Sequence, residues 1–151
     1  PPYRRPRRRG RSPFAPPDFF RLLNDGAPVW RAGANVSTRL RTDAPLVFGE
    51  TTVQPAEYTV FIDLLPGEWT LILSTWPAQT IYDQNDRNQL WGAYHYMPYK
   101  DVVRVPMTLR RMPYSFDQLS WQFLDVTDSG GRLSILWDDW IAWVDFELEE
   151  P

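Results

Sequence analysis

The stretch Tyr-Thr-Val-Phe-Ile-Asp-Leu-Leu-Pro-Gly-Glu-Trp-Thr-Leu-Ile-Leu-Ser-Thr-Trp, residues 58–76, decides the fold class. Tyr58, Val60, Ile62 and Leu64 recur at every second position, the spacing that puts side chains on one face of a strand. Pro66-Gly67 then supplies a fixed φ followed by a residue free to turn left-handed, so the chain reverses. Residues 69–76 return, and the two runs predict an antiparallel hairpin.

The same period continues on both sides of this hairpin. Upstream, Val36, Thr38 and Leu40 alternate with Ser37, Arg39 and Arg41 until Ala44-Pro45, and short strands are expected at 46–48 and 51–53 around Gly49. Downstream, Val103, Val105, Met107 and Leu109 share a face, while Pro106 opposite them marks an edge strand or a bulge. Leu119, Trp121 and Phe123 are expected inward. Residues 127–131 form a loop, after which Leu133, Ile135 and Trp137 hold one face, and Trp140, Ala142, Val144, Phe146 and Leu148 give the last strand its core side. Eight or nine short strands with almost no helical period predict an all-β fold, an antiparallel β-sandwich of jelly-roll or immunoglobulin-like type rather than a closed barrel.

Composition narrows the rest. At 151 residues the chain suits one domain with a sizeable core, and fifteen prolines argue against long helices. The absence of cysteine excludes thiol catalysis, thiolate metal sites and disulfides together. No apolar run reaches the roughly eighteen residues that span a bilayer. Pro1 as first residue fits a processed product and a trimmed sequence equally.

The net charge of −3 hides an asymmetry. Arg4, Arg5, Arg7, Arg8, Arg9 and Arg11 lie in residues 1–17 with six prolines, and the remaining ten basic and nineteen acidic residues give the body a balance of −9. Residues 1–17 are therefore an extended Arg/Pro-rich arm and 18–151 a single sandwich domain. Asp18 caps one expected helical turn with Phe19, Phe20, Leu22 and Leu23 as an apolar anchor. The six arginines with Phe14, Phe19 and Phe20 are the candidate partner-binding residues, suited to an acidic protein surface or an anionic membrane surface. Nucleic acid is not expected, because an isolated arm on an acidic body is a poor duplex binder.

Two aromatic clusters are the candidate ligand sites. In Val-Trp-Arg-Ala-Gly-Ala-Asn, residues 29–35, Trp30 can stack, Arg31 can pair with an anion and Asn35 can orient a ligand. The favoured reading is a structural corner in which Gly33 takes a positive φ and Asn35 bonds buried backbone. In Trp-Gly-Ala-Tyr-His-Tyr, residues 91–96, Trp91, Tyr94, His95 and Tyr96 cluster, and the polar loop at 77–89 before them is of the kind that carries function. His95, the sole histidine, is read as a packing residue; one histidine excludes a multi-histidine metal site. A hydrolase would need a solvent-open pocket combining His95 with a carboxylate and a hydroxyl, and no Gly-x-Ser-x-Gly elbow occurs. Asp125 and Asp128 before Ser129-Gly130-Gly131 lack EF-hand spacing and fit a hairpin turn. Asp138 and Asp139, as strand neighbours, point to opposite faces. No catalytic residue, cofactor or metal is expected.

With Val-Trp-Arg-Ala-Gly-Ala-Asn at 29–35, Pro-Ala-Glu-Tyr at 55–58, Gly-Glu-Trp-Thr at 67–70 and Trp-Gly-Ala-Tyr-His-Tyr at 91–96, the chain resembles the bacterial family known as domain of unknown function 2911, over roughly residues 25–148 with the arm outside. Glu57 replaces a glycine usual in that family, and Val36 stands where an acidic residue commonly follows Asn35. The resemblance implies an exported β-sandwich protein, hence an extracytoplasmic, periplasmic location peripheral to the membrane. The expected function is a non-enzymatic interaction or scaffold subunit, an extrinsic component of a larger membrane-associated assembly such as an energy-transducing complex, with protein subunits as partners. The alternative is a small-molecule or glycan binding module using the two aromatic clusters.

Overall fold

The computed structural model describes Asn24, residues 26–65 and residues 67–149. The expected arm at 1–17, with its six arginines and Phe14, and the expected helical turn with Phe19 and Phe20 lie outside the described residues.

Among the described residues eight strands follow one another: β1 (Thr38–Thr42), β2 (Leu46–Phe48), β3 (Thr51–Val53), β4 (Ala56–Leu65), β5 (Glu68–Ser74), β6 (Asp101–Pro106), β7 (Thr108–Thr127) and β8 (Gly130–Leu148). They build two antiparallel four-stranded sheets, ordered β1-β4-β5-β6 and β3-β2-β8-β7, packed face to face as a sandwich. The β4/β5 hairpin runs in register from Thr59 opposite Ser74 to Leu65 opposite Glu68, and Gly67 at φ 73° supplies the left-handed turn. Tyr58, Val60, Ile62 and Leu64 are all buried in the main core, as their period requires. Pro106 closes β6 at a sheet edge, where a missing N–H is tolerated. The chain then crosses to the other sheet at Met107, whose amide donates to the Trp69 carbonyl at 2.8 Å.

The last strands are long rather than short. The β7/β8 pairing shifts register between Arg111 and Phe116, where Pro113 has no N–H to give the ladder, and again between Phe116 and Ser120. On β8, Asp138 adopts φ 53°, which flips the inward parity from Ile135 and Trp137 to Trp140 and Ala142. β8 doubles back there. Its two ends meet: the Leu148 amide donates to the Ser129 carbonyl at 2.8 Å, and Arg132 Nε donates to Asp145 Oδ1 at 2.7 Å. The two strands expected at 133–137 and 140–148 are thus two arms of one folded strand.

Between the sheets sit Trp30, Trp69, Trp137 and Trp140. Trp69 meets Trp140 edge-on with centroids 4.5 Å apart, and Trp30 stacks on Trp137 at 6.1 Å. Edge-to-face contact sets the electropositive rim of one indole against the face of the next. One expectation fails: Phe123 is 55% exposed rather than inward, because it lies towards the tip of an edge strand, where its ring meets Phe146 edge-on.

The first sheet is covered on its outer side as well. Phe61 of β4 and Ile72 of β5 pack with Val29, Trp76, Leu90, Ala93 and Tyr96 into a second, smaller core. The excursion at 75–97 thereby becomes a layer laid over the sheet.

Candidate ligand pocket

The excursion is pinned at both ends. Arg39 of β1 donates through its guanidinium to the Trp76 carbonyl at 3.0 Å and to Thr59 Oγ1, and Trp76 Nε1 donates to the Met97 carbonyl at 2.9 Å. At the far end the Tyr96 hydroxyl donates to Asp101 Oδ2, and Arg104 bridges Asp101 at 3.0 Å to Asp63 at 2.9 Å. Burial, and then the hydrogen bond to Asp101, push the Tyr96 hydroxyl well above the usual tyrosine range, so it stays a donor in this cluster.

Between these anchors the loop is shaped by Gln79. The residues on either side of it set up a short ladder, with Gln79 N donating to the Leu90 carbonyl and Leu90 N to the Pro77 carbonyl, both at 2.9 Å. The Gln79 side chain is buried, and its Nε2 donates to the carbonyls of Asp83 at 3.0 Å and Gln89 at 3.1 Å while its Oε1 accepts from Asp83 N at 2.9 Å. With a longer bond from Nε2 to the Asp86 carbonyl at 3.4 Å, one primary amide replaces a strand partner for three stretches of loop backbone. Asp83 Oδ1 accepts from Asn85 N at 2.9 Å and Asp86 Oδ1 from Asn88 N at 2.8 Å, which fixes both carboxylates in tight local turns.

The turn at 90–96 rests on the corner at 29–37. Ser37 Oγ donates to the Gly92 carbonyl at 2.7 Å. Gly92 has φ 59°, and a Cβ there would lie 3.1 Å from both Arg31 Cδ and the Asn35 carbonyl oxygen, so the close approach requires glycine. In the corner itself the left-handed backbone falls on Ala32 (φ 52°) and Asn35 (φ 66°), not on the expected Gly33. Asparagine tolerates this region; Ala32 is held in it by Thr38 Oγ1 and Trp121 Nε1, which both donate to its carbonyl. Asn35 is exposed, where bonding to buried backbone was expected.

The result is a cavity of about 290 Å³. Its walls carry three aromatic rings (Tyr82, Trp91, Tyr94), two carboxylates (Asp83, Asp86) and His95, with Gln79, Gln84 and Gln89 between them. Tyr82 stands edge-on to Trp91, centroids 5.8 Å apart and planes at 61°. His95 is exposed rather than packed, has φ 63°, and its Nε2 contacts the Arg87 guanidinium.

Of the residues singled out in the sequence, the structure brings Trp91, Tyr94 and His95 to this cavity and leaves the others out of its lining. Trp30 is 1% exposed and bridged to Ile62 in the main core, so it offers no face to a ligand. Tyr96 is buried on Phe61 with centroids 4.9 Å apart. Arg31 and Asn35 brace Gly92 from behind. Gln79, Tyr82, Asp83 and Asp86 were not singled out; the signal for them was the polar loop itself, in which aromatic and acidic residues precede the aromatic cluster by a few positions. Among the described residues, no three histidine, cysteine, aspartate or glutamate side chains are grouped to hold a metal ion. No helix among the described residues is long and apolar enough to cross a membrane.

No curated protein and no solved structure matches the chain. A family match does exist, and at residues 2–146 it reaches further than the resemblance read from the motifs, taking in the arm as well as the sandwich. The chain therefore belongs to DUF2911, a family of proteins of unknown function.

Proposed function

We propose that this protein is a non-enzymatic binding module whose cavity at residues 79–95 captures a small polar molecule. The observation that carries this reading is the preorganisation of the loop by the buried Gln79 amide. A loop of this length serving only to connect β5 with β6 would not need a buried amide to hold its shape, whereas a binding wall loses affinity for every side chain it must order on binding. The cavity does combine His95 with carboxylates and hydroxyls, but those hydroxyls are phenols. No serine or threonine lines it, and the Arg87 guanidinium already contacts His95 Nε2. Binding is therefore the better reading than hydrolysis. A thermal-shift screen of sugars, amines and amino acids against the full chain should give at least one saturable increase in Tm, reduced at equal ligand concentration in Trp91→Ala. A screen without any shift counts against the module.

A second reading draws on different features. Six arginines in the arm, an acidic body, and exposed Tyr114, Phe123 and Val126 on the edge strand β7 suit a scaffold subunit docked on a larger membrane-associated assembly outside the cytoplasm. The location rests on the family resemblance alone. Deleting residues 1–17 should release the protein from its partners in a salt-sensitive manner without lowering its Tm. Unchanged co-purification would remove this reading and leave the cavity untouched.

A further inference from the structure

Resting on the reading of this cavity as a ligand site, we propose that its ligand class is an organic cation, a quaternary or alkylated ammonium group. Two independent features of the wall point the same way. The first is charge: Asp83 and Asp86 line the cavity and no lysine or arginine does, the Arg87 guanidinium being engaged by His95. A phosphate or carboxylate entering here meets two carboxylates and no cation to pair with, which is repulsive at this range. The second is ring geometry. Tyr82 and Trp91 stand at 61° with centroids 5.8 Å apart, a corner and not a flat platform, and Tyr94 adds a third ring. A pyranose ring stacks on one flat face; a compact cation is surrounded by several faces at once, each presenting negative quadrupole density to it.

The carboxylates are built for the same task. Each uses Oδ1 to accept a backbone N–H of its own turn, from Asn85 or Asn88, so neither has to be ordered when a cation arrives. The volume of about 290 Å³ is at the small end for ligand sites, suited to a headgroup with a short substituent.

The test is calorimetric titration of the full chain with choline chloride, with its neutral isostere 3,3-dimethylbutanol, and with cellobiose. Choline should bind saturably and the neutral isostere about tenfold or more weakly, since only charge separates them. Asp83→Asn with Asp86→Asn, and separately Trp91→Ala, should each weaken choline binding about tenfold at unchanged Tm. Equal binding of choline and its isostere, or binding of cellobiose in place of choline, overturns the cation assignment while leaving the cavity a ligand site. If none of the three binds and the screen of sugars, amines and amino acids also gives no shift, both the assignment and the module fail.

Discussion

The two faces of the first sheet are buried by different physics. On the inner face, side chains at every second position of β4 and β5 meet the second sheet, and four tryptophans fill the gap between them. On the outer face a handful of apolar residues meet a layer of irregular chain, and that layer is held mainly by hydrogen bonds and a few ring contacts. The inner face makes the fold cooperative; the outer face makes a cavity. A packed interior resists any change of shape, while a layer held by a few polar contacts can leave room between them.

This contrast can be broken experimentally in order of severity. Trp69→Ala removes a fully buried indole from the inner core, and should cost about 3–5 kcal/mol, read as a lower denaturation midpoint with the whole chain unfolding together. A loss below about 1 kcal/mol would mean that the sheets do not depend on the tryptophan cluster. Gln79→Leu should cost about 1–3 kcal/mol, but confined to the outer layer. Amide exchange across 77–90 should quicken while the global midpoint hardly moves; a global shift as large as that of Trp69→Ala would erase the distinction between the faces. Gly92→Ala, forced into a left-handed conformation against Arg31 and the Asn35 carbonyl, should cost about 1–2 kcal/mol and loosen the turn at 90–96 in the same local way.

The smallest effect belongs to the ion pair that closes β8 on itself. The hydrogen bond from Arg132 holds the Asp145 carboxyl below its ordinary range. Its folded pKa is depressed, so the pair contributes stability above the unfolded value of about 3.9 and loses it as the pH falls through the folded value. Asp145 is mostly exposed, which keeps the contribution under about 1 kcal/mol. Asp145→Asn should lower stability at neutral pH by under about 1 kcal/mol, flatten the acid limb, and converge with the unsubstituted chain once the pH lies below the folded value. An equally steep acid limb in the variant would place the titrating group elsewhere.

How much of this was legible in the sequence follows the same division. The β4/β5 hairpin could be read because its period and its Pro-Gly turn are local signals. The fold-back of β8 left a trace in the switch of parity between Trp137 and Trp140, although parity alone cannot tell two strands from one bent strand. Phe123 misled because alternation names a face without saying whether anything covers it. The outer layer was legible only in part. Aromatic clustering at 91–96 pointed to Trp91, Tyr94 and His95, but a buried glutamine in a polar loop has no periodicity to betray it, and the burial of Phe61 and Ile72 depends on where that loop comes to rest. In the corner at 29–35 the positive φ falls on Ala32 and Asn35 and not on Gly33, since the strain at Ala32 is imposed by contacts distant in sequence.

The doubled-back β8 also sets an order of assembly. Residues 108–148 contain β7, β8 and the contacts by which β8 closes on itself, so that unit can gather by closing short loops alone. β2 and β3 reach it only when residues 46–53 are brought to Leu148 across all the chain that holds β4 to β7, through the pairing of Leu46 with that residue. The last strand in sequence is thereby placed to be among the first to order, giving the earlier strands a finished surface on which to settle.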